Sequence, residues 1–108
     1  MREAAKRVQR RYPRVGSPKE IVVAWQCGGM RTVSSVRTLG LGGLFILTSE
    51  PPPVGSMVKL IFELPNGDVR ARATVRHSEP GRGMGVEFTG MGFNDRARLQ
   101  QLLKRLLG

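Results

Sequence analysis

At 108 residues, with 40% apolar and 24% charged side chains, the chain is one domain's worth of protein that can bury a core, which excludes wholesale disorder. A single cysteine, Cys27, and a single histidine, His77, exclude an internal disulfide framework, a zinc site on paired thiolates and a His-rich metal centre. The net charge of +10, with arginine supplying fourteen of eighteen bases, points to an anionic partner: nucleic acid, a phosphate ligand, an acidic protein surface or anionic lipid.

The stretch from Met1 to Lys19 holds seven bases and one acid, Glu3. Its few apolar residues and its punctuation by Pro13, Gly16 and Pro18 predict a short helical arm to about Gln9, then an irregular basic loop. The opening residues lack the apolar centre of a secretory signal, and the longest apolar run, Leu39 to Leu47, is nine residues with three glycines inside it. A helical membrane span needs about 20 residues, so a cytoplasmic protein is expected.

Strand signals begin at Glu20. Ile21 to Trp25 is rich in β-branched residues, Gly28-Gly29 marks a turn, and Val33 to Leu39 continues extended. Gly42-Gly43 introduces Leu44 to Leu47, and Pro51-Pro52-Pro53 breaks the run. Val58, Leu60, Phe62 and Leu64 then alternate with Lys59, Ile61 and Glu63. Asn66-Gly67 supplies a hairpin turn, and the return strand sets Val69, Ala71, Ala73 and Val75 inward against Arg70, Arg72, Thr74 and Arg76 outward. Met84, Val86 and Phe88 make the last short strand. Six such strands predict an antiparallel barrel or sandwich. After Asn94 or Asp95 as a cap, Leu99, Leu102, Leu103, Leu106 and Leu107 form one stripe of an amphipathic helix, predicted to cover an open end of the strands.

Catalytic chemistry has little to stand on. His77 has no evident carboxylate partner in sequence, Cys27 reads as a packed or half-buried thiol, and the eight acids show no paired spacing. The chain reads as a non-enzyme without a cofactor. Gly40-Leu41-Gly42-Gly43 lacks the Gly-Lys-Ser/Thr ending of a phosphate loop; it and Gly81 to Gly85 lead into strands, as turns or bulges would. Arg70, Arg72 and Arg76 could form a basic stripe for a nucleic-acid backbone. Aromatics are only 6%, however, which leaves Trp25 and Tyr12 as the stacking platforms such a barrel would need.

Arg10 and Arg14 form an Arg-x-x-x-Arg pair in Gln9 to Val15, and Thr38-Leu39-Gly40-Leu41-Gly42-Gly43-Leu44-Phe45-Ile46 follows about twenty-five residues later. Together with Gly83-Met84-Gly85-Val86-Glu87-Phe88 and a terminal helix, these segments resemble the PilZ domain, a bacterial module that binds cyclic di-GMP. The resemblance implies a six-stranded antiparallel β-barrel with a C-terminal α-helix and a basic N-terminal arm. It divides the chain into an arm at residues 1–9 and a domain at 10–108, with the barrel at about 20–90 and the helix at about 94–107.

By the same resemblance, Arg10 and Arg14 would grip guanine edges and phosphates, with Arg11 as a further phosphate partner. The family's second motif (Asp or Asn, any residue, Ser, two residues, Gly) falls on Thr38, Gly40 and Gly43, of which only the glycine is kept. A hydrogen bond to a charged group is worth about 1.5–3 kcal/mol, so losing the acidic acceptor weakens binding without removing the arginine clamp. The expected function is a cyclic di-GMP receptor whose arm, mobile up to about Pro18, orders on the ligand and relays to an unidentified protein effector. The alternatives are a PilZ adaptor that works without nucleotide and, third, a nucleic-acid-binding barrel.

Overall fold

The computed structural model describes residues 14–64 and 67–107, with side chains for 21–62 and 67–105. Among them six strands, β1 (Arg14–Cys27), β2 (Met30–Gly40), β3 (Gly43–Leu47), β4 (Met57–Leu64), β5 (Gly67–Glu79) and β6 (Gly83–Met91), precede a helix, α1 (Phe93–Leu107). Every strand pair is antiparallel, and the order β1-β2-β3-β6-β5-β4 closes on itself through β4 and β1. The fold is therefore a barrel and not a sandwich.

The alternation that marks β4 and β5 sets the interior. Val58, Leu60 and Phe62 pair with Ala73, Ala71 and Val69, and all six are buried. Val23 and Trp25 of β1, Leu39 of β2, Leu44 and Ile46 of β3, and Met84 and Val86 of β6 complete the core. Phe88 is half-buried and stacks on Phe62 with ring centroids 6.5 Å apart. Leu99, Leu102 and Leu103 of α1 join the same cluster, so the described part of the leucine stripe closes one end of the barrel. The side chains of Leu64, Leu106 and Leu107 lie outside the described residues.

Three local expectations change. The first strand begins at Arg14, ahead of the expected Glu20: Arg14, Val15 and Gly16 pair with Gly40, Leu39 and Thr38, and regular pairing resumes at Ile21 with Val36. The Gly16–Ile21 stretch is thus an irregularity within a strand, not a free loop. Pro18 falls inside it, where its missing N–H costs the ladder nothing. Gly67 is no turn residue; it already pairs with Leu64, and its φ of 127° is open only to glycine. Gly83 and Gly85 likewise belong to β6. The expected arm at 1–9, together with Arg10, Arg11, Tyr12 and Asn66, lies outside the described residues.

The third change concerns the helix start. Arg96 donates its N–H to the Gly92 carbonyl at 2.9 Å, so α1 begins before Asn94 and Asp95. Asp95 sits in the first turn and reaches across to β5, where its Oδ1 accepts the backbone N–H of Arg70 at 3.0 Å. β6 pairs with β5 only as far as Met91 opposite Ala71, so the carboxylate continues a ladder where the strand has ended. Asp95→Ala is expected to lose about 1–2 kcal/mol, a charge-assisted bond discounted for partial exposure. The denaturant midpoint should fall with an unchanged slope, and Asp95→Asn should lose less. Equal midpoints for all three proteins would show that this bond does not hold α1.

Candidate functional site

The end of the barrel where β1 enters and β2 turns into β3 gathers most of the expected ligand-binding positions. In the β1–β2 register the backbone of Arg14 lies opposite Gly40, and Gly16 lies opposite Thr38. Thr38 also lies opposite Phe45 of β3. The flanking pairs, Val36 with Ile46 and Leu39 with Leu44, are buried, so Thr38 and Phe45 occupy the outer face. Thr38 is partly exposed, whereas Gly40 and Gly43 are buried. A ligand here would meet Thr38 before either glycine. Arg10 and Arg11 lie outside the described residues, as does the side chain of Arg14.

Gly43 has a structural reason of its own. It pairs with Glu87, and a Cβ built on it would collide with the backbone carbonyl of Val86. Phe88 donates its N–H to the Gly42 carbonyl at 2.9 Å, tying the same turn to β6. The glycine permits a close approach between β3 and β6.

Sequence reasoning missed two neighbours of Thr38. The β2–β3 register shifts between Val36 and Thr38, so Arg37 is the extra residue of a bulge. Its guanidinium lies 5.8 Å from the centre of the Phe45 ring. That ring lies over β6, since a Cβ on Gly83 would meet its edge and Phe45 pairs with Gly85. Trp25, expected as a stacking platform, is 1% exposed, with its Nε1–H donated to Ser34 Oγ at 3.0 Å. Among the described residues Phe45 is the aromatic that reaches this surface; Leu44 to Leu47 are apolar throughout, so the sequence carried no signal for which of them faces out.

Beyond Gly85 lies His77 of β5, whose carboxylate partner is Glu79, two residues on; Nε2 and Oε2 are 2.5 Å apart. The hydrogen bond from His77, helped by the Arg82 charge, holds the Glu79 carboxyl below the usual carboxylate range. A depressed folded pKa contributes stability above the ordinary carboxylate value, lost as pH falls through the folded value. His77→Ala should raise the Glu79 pKa toward the ordinary range in a carbon-detected NMR titration. An unmoved titration would refute the assignment of His77 as the main cause. The groove that both line holds no serine, threonine, cysteine or lysine. Cys27, half-buried as expected, lies at the far end of β1, and no cluster of metal-ligating side chains occurs among the described residues. Nor is any described helix long and apolar enough to cross a membrane.

A family model for the PilZ domain matches residues 8–105. The chain belongs to the PilZ family. PilZ members are cyclic di-GMP receptors or adaptors and not enzymes, so cyclic di-GMP figures in the family as a ligand, not a cofactor. No curated protein sequence matches significantly. Among solved structures, this PilZ domain resembles the Bacillus subtilis inhibitor of motility MotI/DgrA, with a TM-score of 0.75, 21% identity and coverage of 92% of this chain and 52% of the other. The PilZ domain of YcgR from Escherichia coli, solved with cyclic di-GMP, gives a TM-score of 0.75 at 17% identity over 91% of both chains. The K. pneumonia MrkH–cyclic di-GMP complex gives 0.73 at 15% identity over 92% of this chain and 52% of that one. The chain thus spans about half of MotI/DgrA and MrkH, and these likenesses establish the fold.

Proposed function

We propose that this PilZ domain is a cyclic di-GMP receptor that binds at the β2–β3 end of the barrel and relays occupancy to a protein partner. The observation that carries the reading is the β1–β2 register. It brings the second arginine of the Arg-x-x-x-Arg pair, Arg14, opposite Gly40 and within one strand of Thr38. Arg10 and Arg14 clamp guanine and phosphate as planar forks, with Arg11 as a further phosphate partner. Thr38 supplies a hydroxyl, and the exposed Arg37 guanidinium, set over the Phe45 ring, offers a planar surface for a base. MrkH and the YcgR PilZ domain, both solved with cyclic di-GMP, support the ligand class through their shared fold.

Calorimetric titration with cyclic di-GMP, with GTP and a short oligonucleotide as controls, tests this. Arg10→Lys and Arg14→Lys should each weaken binding by about 1–3 kcal/mol although net charge stays constant, since lysine cannot reproduce a bidentate contact. Arg70→Lys and Arg72→Lys on the β5 outer face should bind normally. Thr38→Asp restores an acceptor for guanine and should tighten binding, whereas plain electrostatics near an anionic ligand predicts the opposite sign. No heat with cyclic di-GMP would leave the adaptor reading, which the absence of a carboxylate at Thr38 and of any side chain at Gly40 favours. Heat with the oligonucleotide alone would overturn both.

A further inference from the structure

Among the described residues, ion pairs are unevenly distributed around this barrel. Around the far half of β5 and β6, Glu87 pairs with Arg76, and Glu79 pairs with both His77 and Arg82. On the outer face of β2, β1, β4 and β5, by contrast, Arg31, Lys59, Arg70 and Arg72 form no ion pair with any described residue. The pairings Arg31–Gln26, Gln26–Lys59 and Lys59–Arg72 place three of these bases in one row across four strands. The adjacent row runs Val33–Ala24–Ile61–Arg70, with Val33 65% and Ile61 38% exposed. A basic row thus lies beside an apolar one.

Both rows run into a groove of about 540 Å³ between β4–β5 and the start of α1. Lys59, Arg70 and Arg72 line it from the strands, Ile61 and Met91 give it apolar wall, and Asp95 stands at the helix side. The Asp95 carboxylate is occupied by the Arg70 backbone N–H, with Arg98 3.8 Å away. Arg72 lies over Gly90, where a Cβ would come within 3.3 Å of its Nε. Phe93, 88% exposed, sits between lining residues Gly92 and Asp95 in the chain.

We infer that this groove docks an acidic segment of a partner protein, an apolar side chain set against Ile61 and Met91 and carboxylates on Lys59, Arg70 and Arg72. Charge complementarity selects an anion, because three bases converge with no described acid side chain paired to them. The apolar wall between the bases selects against a bare phosphate backbone, and no lining residue is an aromatic on which a base could stack. The apolar wall between the bases is recessed, with Ile61 38% exposed, and a recess takes an inserted side chain better than the surface of a bilayer. An apolar anchor within a charged surround is what protein partners present.

A library of short random peptides displayed on phage, selected on the whole protein without nucleotide at physiological salt, tests the inference. Enriched peptides should carry several Asp or Glu residues around one or two apolar residues. Synthesised singly, they should shift the amide resonances of Ile61, Arg72, Gly90 and Gly92. The double variant Arg70→Glu/Arg72→Glu should weaken them about tenfold or more, as should Ile61→Ser, whereas Arg82→Glu at the opposite end of the barrel should change affinity little. No enrichment, neutral or basic consensus peptides, or shifts centred elsewhere would overturn the inference. Tighter binding of phosphatidylglycerol vesicles or of duplex DNA through the same residues would do so as well. The test uses no nucleotide, so its failure leaves the cyclic di-GMP reading standing.

Discussion

Gly43→Ala is expected to destabilise the barrel by about 3 kcal/mol, at the upper end of what overpacking ordinarily costs. The added methyl meets the Val86 carbonyl, a backbone atom that cannot rotate aside as a side-chain tip could. Neither strand has room to withdraw. β3 is only five residues long and pairs along its whole length with β6, while its Leu44 and Ile46 and the facing Val86 and Met84 are fixed in the core. Chemical denaturation reads the loss directly, and an unchanged midpoint would show that the strands can part cheaply. The ligand experiment gains a control from this. Loss of cyclic di-GMP binding in Gly43→Ala would report a displaced strand, whereas a Thr38→Ala variant with unaltered stability reports the site itself.

Phe62→Ala should cost still more, about 3–5 kcal/mol, against a total of roughly 5–15 kcal/mol for an ordinary domain. The ring is fully buried, stacks on Phe88, and sits on the strand pair Val23–Phe62 that closes the barrel between β1 and β4. Its removal leaves a cavity at the closing seam, where both strands are held by core residues on either side. Phe62→Leu keeps much of the volume and should cost about 1–2 kcal/mol. Thermal unfolding of the three proteins should therefore rank them clearly. A loss below about 1 kcal/mol for the alanine variant would mean that the seam collapses around the gap.

The inward and outward assignments of β4 and β5 were legible in sequence because a strict two-residue period leaves one consistent choice of face. Ile21 to Trp25 offered no such period, being apolar throughout, and so Trp25 was misplaced as a surface platform. The irregularities at Gly16–Ile21, Val36–Thr38, Arg72–Ala73 and Val75–His77 were hidden for another reason: an extra residue in a strand is defined only against its partner. That bulge is what sets Arg37 beside Phe45. Asp95 read as a helix cap because a carboxylate in a first turn serves any nearby N–H, and the one it takes belongs to Arg70, twenty-five positions earlier. The resemblance assigns Thr38, Gly40 and Gly43 to one motif, but only the register brings β1 beside them and only the Val86 carbonyl explains why position 43 admits no side chain.

Closure through β4 and β1 also limits how this molecule can speak to others. An open sheet lets a partner add a strand and read backbone amides, which is affinity with little regard for sequence. Six strands joined in a ring confine such vacancies to short stretches, such as Met30–Ser34 of β2, which pairs with β1 but not with β3. Over the rest of the wall the backbone is already spent on neighbouring strands, so recognition there passes through side chains, and substitutions on the outer face can change it without disturbing the ladder.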